Sequence, residues 1–330
     1  MTSGAFDELH PDVLGEAYLA ETIGLPPDEE GPVVATLVVR RAERRTGRAV
    51  LHVHGFADYF FQTQYAEWWN ERGYDFYAID LRKYGRSIRP HQTPNYVTDL
   101  RSYFADLDAA WHRIVERDAH DHVVVSAHST GGLIVALWAD ARRPALDGMV
   151  LNSPWLDMQG GLMIRTLGTQ VVKRVGSRQP KRIVPRKVEG FYARSLHIDH
   201  EGEWDFNTEW KPIDPGPVYF GWLRAIRLGH DALHRGLEVG CPVLVLSSGG
   251  THWPKEMGPD VHNFDTVLEV PQIRRWAVAL GRHVTYIAIE GARHDVVLSL
   301  PEPRAQAYAE LERWAAAYLG SGEPGSTPGA

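Results

Sequence analysis

Short apolar runs rich in β-branched residues alternate along this chain with longer stretches in which apolar residues recur every three or four positions. Such a rhythm predicts strands interleaved with helices. Strands are expected over 16–22 and 33–39, parted by a Pro/Gly/acidic turn at 24–32, and then over 49–54, 75–80, 123–127, 149–152, 242–248 and 284–289. Helices are expected over 62–72, with Tyr65, Trp68 and Trp69 on one side, and over 96–117, where Leu100, Phe104, Leu107, Ala110, Trp111 and Ile114 are spaced by three and four. A further helix follows 133–138, and a terminal one spans 302–319. The alternation implies an α/β fold: a mostly parallel sheet covered on both faces, with its ligand site at the carboxyl ends of the strands.

Between Leu156 and Gly240 the rhythm breaks. That stretch has no clean strand, several helical pieces and scattered tryptophans, Trp204, Trp210 and Trp222 among them. An insertion of that size after a core strand reads as a lid. It opens on an apolar stripe (Leu162, Met163, Ile164, Leu167, Val171, Val172, Val175) and carries Arg165, Lys173, Arg174, Arg178, Lys181, Arg182, Arg186 and Lys187, with no acid from Arg165 until Glu189. Three readings fit that pattern: a lid helix packed on the domain below, peripheral contact with a membrane or lipid surface, and reception of an acidic substrate.

The stretch Val123-Val124-Val125-Ser126-Ala127-His128-Ser129-Thr130-Gly131-Gly132 carries the chemistry. A buried strand runs into a turn with one serine at its tip, and an amphipathic helix follows. The residues two before and two after the serine are Ala127 and Gly131, small enough for a strained turn to bring Ser129 Oγ out of the sheet beside the free N–H groups that begin a helix. A serine that merely caps the helix would give part of this pattern.

Other motifs stand with it. Leu51-His52-Val53-His54-Gly55-Phe56, Ile79-Asp80-Leu81-Arg82-Lys83-Tyr84-Gly85-Arg86-Ser87 and Glu290-Gly291-Ala292-Arg293-His294-Asp295, together with the serine turn, resemble the α/β-hydrolases, in particular the lidded branch of monoacylglycerol lipases and serine aminopeptidases. Ala127 departs from the family's Gly-x-Ser-x-Gly, and Lys83-Tyr84 replaces the first glycine of its D-x-R-G-x-G-x-S loop, which we read as structural.

The resemblance implies a mostly parallel eight-stranded sheet flanked by helices. The core would comprise 1–157 and 241–319, the helical cap 158–240, and a disordered tail 320–330. It further implies a nucleophile at Ser129, a base at His294, and an acid in the loop after the strand at 242–248. There Asp265 is preferred over Asp260, with Glu256 behind both. Backbone N–H groups of Phe56 and Thr130 would form the oxyanion hole, and His128, Trp155, Trp204 and Trp222 would line the pocket. The implied reaction is hydrolysis of a carboxylic ester of a small molecule with an apolar acyl or alkyl group, through an acyl-enzyme and with no metal or organic cofactor. The same residues would serve an aminopeptidase, an amidase or a thioesterase. A non-catalytic binding protein on the same fold is the rival of another class.

Composition narrows the picture further. The 330 residues are 44% apolar, ample for a large core, and the net charge of −7 argues against nucleic acid as a partner. The single cysteine, Cys241, excludes an internal disulfide. No Lys or Arg precedes Arg40, and no apolar run has the length of a signal peptide or a membrane span, so a cytoplasmic protein with an acidic leader (Asp7, Glu8, Asp12, Glu16) is expected.

Overall fold

The computed structural model describes residues 8–160, 168–185 and 189–320. Asp7, the first half of the insertion's apolar stripe (Leu162, Met163, Ile164 and Leu167), the cations Arg165, Arg186 and Lys187, and the tail beyond Gly320 lie outside the described residues.

The strands are β1 (His10–Asp12), β2 (Gly15–Asp28), β3 (Gly31–Arg40), β4 (Arg48–Val53), β5 (Tyr74–Asp80), β6 (His122–His128), β7 (Gly148–Asn152), β8 (Val243–Ser248) and β9 (Val284–Ile289). They form one sheet in the order β1-β2-β3-β5-β4-β6-β7-β8-β9. The first three pairings are antiparallel, and every pairing from β5 across to β9 is parallel. Nine strands are described where eight are expected, because His10–Asp12 adds a short outer strand to β2. The first hairpin is also longer than the sequence suggests: β2 runs through Pro26 and Pro27, with a register shift after Leu25, and turns only at Asp28–Gly31. Prolines are tolerated where the ladder is irregular, since they have no N–H to give and none is needed there for pairing.

Side chains alternate between two cores. Ala49, Leu51 and Val53 of β4, with Val123, Val125 and Ala127 of β6, join one apolar cluster, while Val50 and Val124 join the other. Helix α1 (Thr63–Glu71) covers the second cluster with Tyr65 and Trp69. Helices α2 (Phe104–His112) and α3 (Thr130–Arg142) cover the first with Leu107, Ala110, Leu133 and Ile134. The predicted helix over 96–117 is thus shorter than its periodicity: a 3₁₀ turn at Leu100–Tyr103 precedes α2 and one wide turn, Arg113–Arg117, follows it, so the same apolar residues still face the sheet.

Between β7 and β8 the chain forms α4 (Thr169–Arg178), α5 (Phe191–Leu196) and α6 (Phe220–Leu233). The core resumes with α7 (Pro259–Asn263) and α8 (Val270–Ala277), then β9 and α9 (Pro301–Tyr318), which lays Ala307, Leu311 and Trp314 on the second cluster beside α1. Among the described residues no helix is long and apolar enough to cross a membrane.

Candidate active site

Ser129 sits between β6 and α3 at φ 52°, ψ −117°. For a residue with a side chain that backbone costs about 1–3 kcal/mol, and it persists only where the surroundings over-determine it. Here they do. A Cβ on Gly131 would meet the carbonyl oxygens of His54 and Val53, the latter at 2.7 Å, and one on Gly132 would come within 2.6 Å of Pro154. The turn is therefore pressed against the end of β4, and only glycine allows it. Ala127 is fully buried and its methyl belongs to the core, so the departure from glycine there fills space that would otherwise be empty.

Ser129 Oγ lies 3.0 Å from His294 Nε2, and His294 Nδ1 lies 2.8 Å from Asp265 Oδ2. A carboxylate only accepts, so Nδ1 carries the proton and Nε2 is left to accept from the serine. Asp265 is itself held: its Oδ1 accepts from the backbone N–H of Val267 at 2.8 Å and of Leu268 at 2.7 Å, and its own N–H donates to Gly250 O. All three residues are buried, Asp265 completely. Asp260 is elsewhere, in the first turn of α7, with a largely exposed carboxylate 3.9 Å from the ring of His252. Glu256 is exposed on the same loop.

The loop carrying His294 rests on a polar cluster that the sequence did not reveal. Asp295 accepts from Asn152 Nδ2 at 2.6 Å and from Gln62 Nε2 at 3.2 Å, and Asn152 Oδ1 accepts from the Val296 N–H. Asn152 ends β7 and Gln62 precedes α1, so the end of the sheet fixes the residue next to His294. Nothing about an isolated Asn or Gln at a strand or helix end marks it as a partner of a residue 143 or 233 positions away.

Thr130 opens α3, so its N–H has no acceptor within the helix. Phe56 lies on the facing loop, where His54 closes a bond from the Leu81 N–H to its Nε2 and Asp80 accepts from the Phe60 and Arg86 N–H groups. Asp80 is thereby occupied in holding loops. His128 points into the cavity beside His294, its ring 4.7 Å away, and burial lowers its pKa to about 4, so it is neutral near pH 7.

A cavity of 330 Å³ opens over Ser129. Its wall includes Phe56, Thr130, His128, Trp155, Trp222, Val218, Tyr192 and Leu268, with Asp58, Lys211 and Glu189 as its charged members. Trp204 is not on that wall: its indole donates to Leu298 O and its ring is covered by Arg304. A tryptophan in an insertion is as readily used to seat that insertion on the core as to meet a ligand. Of the insertion's cations, Lys173 pairs with Asp231 and Lys181 with Glu30, while Val171 and Ile183 are more than half exposed.

The family model described as Serine aminopeptidase, S33, matches residues 44–251. The chain belongs to this family. Its fold is that of the α/β-hydrolases. A soluble variant of monoglyceride lipase from Saccharomyces cerevisiae, in complex with a substrate analogue, aligns at a TM-score of 0.65 with 14% identity, covering 89% of this chain and 94% of that one. The monoacylglycerol lipase of Paleococcus ferrophilus aligns at 0.62 with 17% identity, covering 86% and 99%. A carboxyl esterase from Bacillus coagulans, in complex with glycerol, aligns at 0.64 with 14% identity, covering 92% and 100%. No curated protein matches the chain. Within the family's matched segment lie the serine turn, the Phe56 loop and β8; Asp265 and His294 follow it.

Proposed function

We propose that this protein is a serine hydrolase that cleaves a carboxylic ester through an acyl-enzyme. The observation that carries the reading is the relay from Ser129 Oγ to His294 to Asp265, at 3.0 and 2.8 Å, on the floor of a mostly apolar cavity.

Ser129 Oγ attacks the ester carbonyl carbon while His294 Nε2 takes its proton, and Asp265 stabilises the resulting imidazolium. The carbonyl oxygen, now negative, is received by the N–H groups of Phe56 and Thr130, each such donor being worth roughly 3 kcal/mol of barrier. As the tetrahedral intermediate collapses, the bond to the alcohol oxygen breaks and His294 hands that oxygen the proton. A water molecule then attacks the acyl-enzyme by the same route and releases the acid. The insertion over 158–240 acts as a lid, a role supported by the cavity-wall residues it contributes, from Tyr192 to Trp222.

A second reading, hydrolysis of an aminoacyl amide or peptide, is favoured by the family's description as serine aminopeptidases. The purified protein assayed against p-nitrophenyl esters of increasing chain length and against aminoacyl p-nitroanilides separates the two. Ester turnover that is abolished in Ser129→Ala is expected. Turnover of aminoacyl anilides alone would move the substrate class, and undiminished ester turnover in Ser129→Ala would overturn the assignment.

A further inference from the structure

Asp58 and Lys211 form an ion pair at 2.8 Å in which the carboxylate side chain is 2% and the ammonium side chain 7% exposed. Neither belongs to the relay described above. Asp58 is two residues beyond Phe56 in the loop that faces Ser129, and Lys211 comes from the insertion, 153 positions away. Burying two charges is costly, and hydrophobic residues of similar volume usually serve stability as well or better. A pair placed here therefore invites a reason beyond stability.

The backbone between Phe56 and Asp58 supplies one. Ala57 adopts φ 48°, a left-handed conformation that disfavours any residue with a Cβ and that the loop keeps only if its two sides are held. On one side Phe56 packs its ring 4.2 Å from Trp222 of α6. On the other side Asp58 turns its carboxylate back toward Gly55, with Oδ2 only 3.6 Å from where a Cβ on Gly55 would stand, in the space that also abuts Ser129 Cβ.

The grip continues along the loop. Tyr59 Oη accepts the Asn207 N–H at 2.7 Å, Trp210 packs edge-on to Tyr59 at 5.2 Å, and Phe61 meets Phe206 at 5.0 Å. Lys211 lies within 6 Å of the ring centres of Tyr192, Phe61 and Phe206, so its ammonium is held by aromatic faces on the sides that Asp58 does not occupy. The Asp58–Lys211, Tyr59–Asn207, Tyr59–Trp210, Phe61–Phe206 and Phe61–Lys211 contacts all join residues 58–61 to residues 206–211. The electrostatic one is nearest Phe56.

We infer that the Lys211–Asp58 ion pair is a positioning device: it fastens the insertion to the Phe56 loop and so sets the Phe56 N–H where the developing oxyanion needs it. The inference rests on the serine-hydrolase reading above. Lys211 then has its effect in the transition state and little in the ground-state complex.

The test is steady-state kinetics on a p-nitrophenyl ester with wild-type protein already known to lose turnover in Ser129→Ala, so that failure here leaves the hydrolase reading untouched. For Lys211→Met the expected result is a kcat lower by about 10²-fold, comparable to misplacing one oxyanion donor, with KM within about threefold. Lys211→Arg, which preserves the link, recovers most of the kcat.

Because Lys211→Met leaves a buried carboxylate unpaired, the double variant Asp58→Asn/Lys211→Met accompanies it. That pair is neutral and similar in size, and it lacks the link. Its melting temperature is expected near wild type with kcat still down by at least about 30-fold, somewhat less than the roughly 10²-fold or more that outright removal of a donor costs. Recovery of wild-type kcat in the double variant would show that only the unpaired charge mattered and would overturn the inference. A raised KM with unchanged kcat in Lys211→Met would overturn it too, by making Lys211 a substrate-binding group.

Discussion

Asp265 divides its two carboxylate oxygens between different tasks: Oδ2 takes the proton-bearing Nδ1 of His294 at 2.8 Å, while Oδ1 is spent on the backbone of Val267 and Leu268. The acid is thus locked by its own loop before it meets the histidine. It has no rotational freedom with which to follow the ring, so the ring's orientation is set by the loop after β8.

Asp265→Asn is expected to leave the fold intact and to lower kcat by about 10⁴-fold, because an amide presents a donor to Nδ1 and favours the wrong tautomer. Asp260→Asn, on exposed α7, leaves kcat unchanged. Comparing the two variants on one ester substrate checks both statements.

Gly131→Ala is expected to fail by crowding. Its methyl would press on the carbonyl oxygens of Val53 and His54, at the base of the Phe56 loop, and overpacking of this kind costs about 1–3 kcal/mol. The urea midpoint falls and turnover falls with it. Ala127→Gly, which removes a buried methyl and loosens a strand, costs only about 1 kcal/mol and leaves the serine in place.

Much of this site was legible in the sequence because its chemistry is local. The serine turn, the His-Gly-Phe loop and the histidine after the last strand each occupy a few consecutive residues whose sizes and types are dictated by one tight piece of backbone. Asp265 was separable from Asp260 only through the pattern that follows it, and the structure places the alternative at the surface. What the sequence concealed is what long-range pairing makes. Asn152, Gln62, Asp58 and Lys211 have no local signature, and their partners lie 143, 233 and 153 positions distant. Trp204 shows the converse: its place in the insertion suggests a pocket residue, but it anchors on Leu298 and Arg304. The long helix expected at 96–117 shows how apolar spacing outlasts regular helix, since residues in tighter and wider turns still face the same core.

Asn152→Ala is expected to affect catalysis without touching the relay. It strips Asp295 of its shortest hydrogen bond, at 2.6 Å, and leaves the buried Val296 N–H without its acceptor beside His294. The cost is about 1–3 kcal/mol of stability, with a lower kcat. A denaturant titration beside the kinetics measures both.

Acid is expected to unfold the protein earlier than its carboxylates alone would dictate. Burial lowers the pKa of His52 to about 3, of His128 to about 4 and of His230 to about 3. Between those values and the ordinary 6.5 the unfolded chain binds protons that the folded one refuses, so stability is complete above about pH 6.5 and is lost as pH falls toward 4. Chemical denaturation at pH 7.5, 6 and 5 tests this, and His52→Gln should flatten the slope.

The measurement that bears most directly on the central claim is intact mass after treatment with a fluorophosphonate, for wild type and Ser129→Ala. A single covalent adduct on wild type and none on the variant is the predicted result, because only a serine activated by His294 attacks the phosphorus. An unmodified wild type, or an adduct that persists in Ser129→Ala, would contradict it.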